Sequence, residues 1–538
     1  MKKTIISIIF SAVAIFGYAQ TSYDALLFSE NNYEGTARSV AMGNAFTALG
    51  GDLGSIALNP AGSAVASYSQ ASITPSLTFS TNLAKGVSPF SDGSLPYFQK
   101  ARKSSITRFD IPNISMSFNW DTGRKSGLKS LSFGFIVNKS ASYDQDVYAN
   151  GVNSTTSFMG QMAAEASELA YSGSKLGQQD AWDFMPWKMV AGYQSGMIST
   201  YGGYDDLFIG ASEIFLDNDE IAVGGPLDQI YSRQVSGGKY DYIFNLGANI
   251  SDFLYLGANI GVSSLDYDYN EYFKEAAVEP GDFEIGFDDG SYAYFENMKY
   301  NYSYRASGTG LYAKLGFIVT PAAGLRIGAS IQTPTLTTID EEWRISASTQ
   351  FSDNKMSASA TSPYGEYRYN LRSPMRADFG IAYTFGSLGV LSMDYEVCDY
   401  SGMRFSSNDR EEFDAVNEDI RNRFGKSHSL RAGIEVKPLS CLAVRGGYNM
   451  TSSAEKTDAW GERLETSYTQ NVSAGIGYSS KKSFFADLAV RRTFLPDEYF
   501  MPYDDYIYDS EGYVSVPVPE ILNQQKLWKV MLTLGWRF

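Results

Sequence analysis

The sequence predicts an all-β protein: a 14-stranded antiparallel transmembrane β-barrel with an N-terminal lumenal hatch of short helices and turns. Three observations predict it. Tyr, Phe and Gly are abundant, at 38, 33 and 50 of 538 residues, while charged residues make up 19%, below the roughly 25% of a soluble domain. Strand-length segments alternate apolar with small or polar side chains along most of the chain, which is the pattern of a wall between lipid and lumen. The last segment places Trp528, Val530, Leu532, Leu534, Trp536 and Phe538 on one face.

Residues 1–19 read as an export signal. Lys2 and Lys3 precede an apolar run from Ile5 to Phe16, and Gly17-Tyr18-Ala19 is a small-x-small cleavage site. The run is too short for a membrane-spanning helix, which needs about 20 residues. No later uninterrupted apolar stretch reaches that length. The mature chain is therefore expected to start at Gln20 and to be secreted, periplasmic or in an outer membrane as a barrel.

Residues 20–67 are expected to form the hatch. Met42, Phe46, Leu49 and Leu53 recur at roughly helical spacing, interrupted by Gly50-Gly51. Asn59 is a good N-cap and Pro60 a good first helical residue, with Ala61 following. A barrel of fourteen strands leaves a lumen unless something fills it, and this small folded segment is suited to be the plug.

Residues 68–538 are assigned to the barrel, with strands near 68–82, 112–121, 130–142, 240–250, 253–272, 299–320 and 323–350. Seven more are expected near 355–386, 388–404, 426–438, 441–452, 464–480, 483–497 and 524–538. Short turns such as Ser251-Asp252 and Lys481-Lys482 alternate with long connections, the expected asymmetry of periplasmic and external loops. Cys398, near an outer strand end, and Cys441, at an inner turn, are too far apart for a disulfide and are expected to be free thiols.

The largest connection, 143–239, has helical content. Phe158, Met159, Met162, Ala166 and Leu169 share a helical face, and Trp182, Phe184, Met185, Trp187 and Met189 cluster around Pro186. Two readings stand: the loop's own small core, or an external apolar groove of Phe158, Met162, Trp182, Phe184 and Trp187 for an apolar ligand.

Lumen-facing charges are expected at Lys314, Arg326, Arg376, Asp378, Asp394, Glu396, Arg431, Glu435, Arg445, Asp487, Arg491 and Lys529. Mixed signs on neighbouring strands should pair and brace the wall. Arg38, in the hatch, is the candidate for a cation left to bind a carboxylate head group. The external loops are acidic: between Asp497 and Glu511 lie six acids and no Lys or Arg. Outer-membrane lipid and lipopolysaccharide are the expected surroundings, and barrel-assembly machinery is expected to read the C-terminal strand.

Formal net charge is -17; removing residues 1–19, with two lysines and no acids, leaves -19. Nucleic acid, which needs a basic face, is excluded as a partner. His428 is the sole histidine, and a serine next to it on the other strand face cannot meet it. Histidine-based metal clusters are thereby excluded, haem ligation is poorly supported, and Gly51-x-x-Gly54 lacks the rest of a phosphate-binding fingerprint. No enzyme, metal or cofactor is expected.

The stretch "GTARSVAMGNAFTALGGDLGSIALNPAG" (35–62) resembles the N-terminal hatch of the long-chain fatty acid transporter (FadL-type) outer-membrane family, whose Asn-Pro-Ala signature matches Asn59, Pro60 and Ala61. The likeness continues at 321–335, 373–403, 430–450 and 471–490. It implies fourteen strands, a hatch in the lumen and passive uptake of hydrophobic compounds, with sideways exit into the membrane at a kinked third strand. In this chain that strand is 130–142, and Gly134 between Phe133 and Phe135 is the candidate kink. The family also has an external loop that helps form a first binding groove. A second class of function, an accessory for protein secretion or surface display, is compatible with the same barrel.

Overall fold

The chain closes one antiparallel sheet on itself. The computed structural model describes residues 20–538 apart from 88–97, 99, 217–220, 287–289, 355, 409–411, 459–460, 481–482, 505, 508–514, 517 and 519. The expected leader, the Lys481-Lys482 turn and part of the acidic 497–511 stretch lie outside the described residues.

The first seven strands are β1 (Gln70–Val87), β2 (Arg102–Asp121), β3 (Leu128–Ser142, continued by Gln145–Asn153), β4 (Leu227–Ile250), β5 (Leu254–Ala277), β6 (Tyr292–Ala322) and β7 (Leu325–Gln332, continued by Leu336–Phe351). The other seven are β8 (Gly365–Arg372 and Arg376–Thr384), β9 (Gly389–Asp399, continued by Arg404–Ser406), β10 (Lys426–Leu439), β11 (Leu442–Ser452), β12 (Tyr468–Ser479), β13 (Phe484–Phe494, continued by Glu498–Phe500) and β14 (Glu520–Arg537). Each pairs with the next, and β1 pairs with β14 from Gln70↔Arg537 to Val87↔Glu520, which closes the ring. Closure removes the sheet edges. Every expected strand is present.

Strand bounds differ from expectation at the outer ends. β2 begins at Arg102 rather than 112, and β4 at Leu227 rather than 240. Lipid-type alternation marks only the membrane-level part of a strand, and these strands run well past it. The expected 143–239 loop is accordingly shortened to 154–226, because 145–153 and 227–239 are paired wall. Two strands assigned as continuous are interrupted, 323–350 at Pro334 and 355–386 at or near Pro363 and Pro374, each of which lacks a ladder donor.

The outer face carries the apolar half of each alternation. On β7, Ile327 and Ile331 are exposed while Ser330 and Gln332 are buried; on β8, Phe379 and Ile381 are exposed while Arg376 and Asp378 are buried. A closed ladder with an apolar outer band is the surface of a protein that spans a bilayer. His428 lies on this outer face, 2.6 Å from the Tyr395 hydroxyl. Cys398 and Cys441 are free thiols.

The lumen holds the N-terminal segment as α1 (Ser22–Ser29), α2 (Ala37–Ala41), α3 (Ser55–Leu58) and a 3-10 turn, Pro60–Val65. Met42, Phe46, Leu49 and Leu53 are all buried, but they sit in turns, not in the expected helix. Gly43, Asn44, Gly50 and Gly51 have φ of 60–72°, which a right-handed helix cannot contain. Asn59 does cap the Pro60 turn, accepting from the Ala61 N–H at 3.0 Å. Wall glycines make room for this backbone: a Cβ on Gly257 would lie 2.2 Å from the Ala61 nitrogen, and one on Gly433 would lie 2.4 Å from the Met42 carbonyl oxygen.

Outside the membrane, residues 154–226 fold into a lid with α4 (Phe158–Glu168), α5 (Gly173–Leu176) and α6 (Trp187–Gln194). The lid shares a core with the outer ends of β4–β7, including Phe273, Phe295, Tyr300 and Phe351.

Candidate functional site

Buried turns need partners for their main-chain groups, and the wall supplies them to the hatch. Asn59 donates to the Thr47 carbonyl at 2.6 Å and to the Phe317 carbonyl of β6 at 3.1 Å. Lys314 reaches the Ala57 carbonyl at 3.1 Å, Ser330 the Leu58 carbonyl at 2.8 Å, and Asn245 the Pro60 carbonyl at 2.9 Å. Asp394 accepts from the Thr47 N–H at 2.7 Å.

Most of the expected lumenal charges pair. Lys314 and Arg431 meet Asp378 at 3.2 and 3.3 Å, Arg376 meets Glu396 at 3.1 Å, and Arg445 joins Glu435 to Asp487 at 2.7 and 2.5 Å. Arg491 and Lys529 converge on Glu34 of the hatch. Burial pushes the Glu34 carboxyl upward, but these two cations outweigh it and hold it below its ordinary value. Arg38 is not the unpaired cation that a head-group role calls for: its guanidinium contacts Glu435 at 2.8 and 3.2 Å. Arg326 bonds the Leu49 carbonyl at 2.6 Å and has no acid partner among the described residues.

Above the hatch, α1 sits in a chamber walled by tyrosines. Ala25 and Phe28 pack with Tyr267, Tyr269, Tyr369 and Tyr400, and Tyr23, Leu26 and Leu27 adjoin them. An aromatic track leads there from the lid. Trp182 and Trp187 are 6.0 Å apart and Trp187 and Trp343 are 5.8 Å apart. Trp343 is the cross-strand partner of Tyr304, so the two share a face. Tyr304 lies 6.0 Å from Tyr267, and Tyr267 lies 5.3 Å from Tyr143. The expected groove residues therefore divide. Phe158 and Met162 are buried in the lid core, as the packing reading has it; Trp182 and Trp187 are partly buried against that core and also start the track, and Phe184 is 45% exposed.

Tyr143 marks the place where the wall ladder is incomplete. β2 and β3 pair from Asp121↔Ser130 to Asn113↔Asn138 and no further. Beyond that, the outer half of β2 pairs only with β1, and the outer part of β3 only with β4. Side chains bridge the seam: Lys139 to Asp110 at 3.1 Å, Arg108 to Asp144 at 3.2 Å, Ser104 to the Asp146 carbonyl, and Arg102 to Asn150. From the lumen side, hatch residues Asn32 and Glu34 donate their N–H groups to the Ser140 and Lys139 carbonyls at 2.5 and 3.1 Å. On the lipid side Phe109 is 66% exposed.

Gly134 is not where the wall opens. It is paired on both sides, to Ser117 and Asn245, and the β3 irregularities lie at Leu128/Ser130 and, toward the outer end, at Lys139/Ala141 instead. The signal in the sequence was Pro112, which has no N–H and sits where β2 stops pairing with β3. The glycine pattern points to a kink within β3, but the missing donor is on the neighbouring strand.

The chain matches no family model and none of the curated proteins. Among solved structures it is similar to a FadL homologue of Pseudomonas aeruginosa (10% identity over 94% of this chain and 98% of that one, TM-score 0.48). It is also similar to the P. putida toluene transporter TodX (12% identity, 95% and 99% covered, TM-score 0.48) and to the CymD monoaromatic hydrocarbon channel (10% identity, 93% and 97% covered, TM-score 0.44). At such scores the likeness adds nothing to the closed fourteen-strand ladder as grounds for the fold.

Proposed function

We propose that this protein is an outer-membrane transporter for passive uptake of hydrophobic compounds. A ligand is taken up at the Trp182–Trp187–Trp343 rim, moves along the tyrosine-lined chamber and leaves sideways into the bilayer between β2 and β3. The observation that carries this reading is the coincidence of the two features: the aromatic track ends at Tyr143, beside a stretch of the wall where β2 and β3 share no ladder and side chains bridge them. Apolar solutes follow such a path because each step exchanges one apolar contact for another, and the bilayer at the end is their favoured solvent. The hatch is fixed by so many wall contacts that a straight route through it would break several buried ion pairs, whereas the seam needs only side chains to part.

The test is uptake of labelled oleate and toluene by cells that lack their own transporter and carry this barrel at matched surface levels, against an empty vector. Uptake of either compound above the vector, reduced at least threefold by Trp187→Ala with Trp343→Ala, is the expected result. Background uptake from a folded barrel across both compounds would reject the reading.

A further inference from the structure

α1 occupies the chamber as a ligand would. We propose that it is a built-in surrogate for the true ligand class, a carboxylate amphiphile with a hydroxyl at its far end, and that such a ligand binds by displacing it. This rests on the uptake reading and names its substrate class.

The inner end of the chamber presents two cations to α1. Lys239, 7% exposed, donates to the Phe28 and Glu30 carbonyls at 3.1 and 2.6 Å and has no carboxylate within ion-pair distance among the described residues. Arg376 gives one guanidinium nitrogen to the Ser29 carbonyl at 2.7 Å while another nitrogen meets Glu396. The carbonyls at a helix C-terminus carry partial negative charge. Here they stand where a carboxylate head would. Asp241 and Glu30 act on the Lys239 ammonium from farther off, but its direct partners are main-chain carbonyls, and it gains from an anion in contact.

The outer end is acidic and takes donors. Glu341, 2% exposed, accepts from the Tyr304 and Tyr369 hydroxyls and from Gln20, just before α1, at 2.6 Å. When α1 leaves, the Gln20 donor leaves with it, and a ligand hydroxyl replaces it. Helical rise puts roughly 12 Å between the ends of the eight-residue α1, so the ligand is an elongated one. Tyrosine walls suit a body that is apolar but not purely hydrocarbon, because each ring brings a polar hydroxyl.

The experiment measures binding of dodecanoate, 12-hydroxydodecanoate and methyl 12-hydroxydodecanoate to the purified full-length barrel, with hydrogen exchange of residues 22–29 followed alongside. The hydroxy acid should bind at least tenfold more tightly than either comparator and should accelerate exchange in α1. Lys239→Met should erase the preference over the ester, and Glu341→Ala the preference over the plain acid, in barrels whose heat-modifiable migration is unchanged. Equal binding of all three by the wild type, or α1 staying protected with ligand bound, would overturn the surrogate while leaving the uptake reading intact. No binding of any of the three by a barrel that takes up toluene would also overturn it. Failure of uptake for every compound would instead strike the parent reading.

Discussion

Asn59 joins the hatch to the β6 wall: its side chain accepts from the Ala61 N–H and donates to the Thr47 and Phe317 carbonyls. Asn59→Ala leaves these groups buried and unpaired, at a cost of about 1–3 kcal/mol for each one left unsatisfied. Hydrogen exchange over residues 42–62 should speed up at least fivefold while the barrel keeps its heat-modifiable form; unchanged exchange would show that Asn59 does not hold the hatch. In the lid, Glu213 is raised to about 7 by burial, which outweighs the Gly210 N–H it accepts, and Glu275 adds to the rise. A carboxyl raised above its unfolded value favours the fold while protonated. Its contribution is full below about pH 4.5 and is lost as pH climbs through 7. Protease nicking of 154–226 should therefore be slower at pH 5 than at pH 8, and Glu213→Gln should flatten that difference. Asp24 in α1 is likewise raised, to about 6, by burial, which outweighs the two Thr21 hydrogen bonds that lower it.

Among the elements, the strands were legible because lipid on one side and lumen on the other force a two-residue period, and every wall segment carries it at membrane level. Their outer ends were not legible, since beyond the membrane both faces of β4–β7 meet protein or water and the period loses its contrast. The hatch was legible as a unit from Asn59, Pro60 and its glycines, while Met42 to Leu53 spelled a helix that Gly43 and Asn44 forbid. The seam was hidden because a ladder's end depends on both strands, and only β2 carries the mark. Pro112→Thr restores a donor at that point. It should let β2 and β3 pair further outward and lower uptake at least threefold with the barrel intact; uptake equal to wild type would mean that Pro112 does not set the seam.

At the scale of the whole molecule, three layers divide the work. The lid and outer strand ends share one core, the tyrosine chamber holds α1, and the ion-paired hatch closes the inner half. On the proposed route a ligand moves by exchanging places with side chains and α1 rather than by breaking the barrel. The seam is then the point on which the account depends. The most direct measurement is uptake of labelled oleate by an Arg108→Cys, Asp144→Cys barrel before and after treatment with a short bis-maleimide, with a single-cysteine control for Cys398 and Cys441. Cross-linking should cut uptake at least tenfold while oleate binding to the purified barrel stays within twofold. Undiminished uptake through a cross-linked seam would contradict the lateral route.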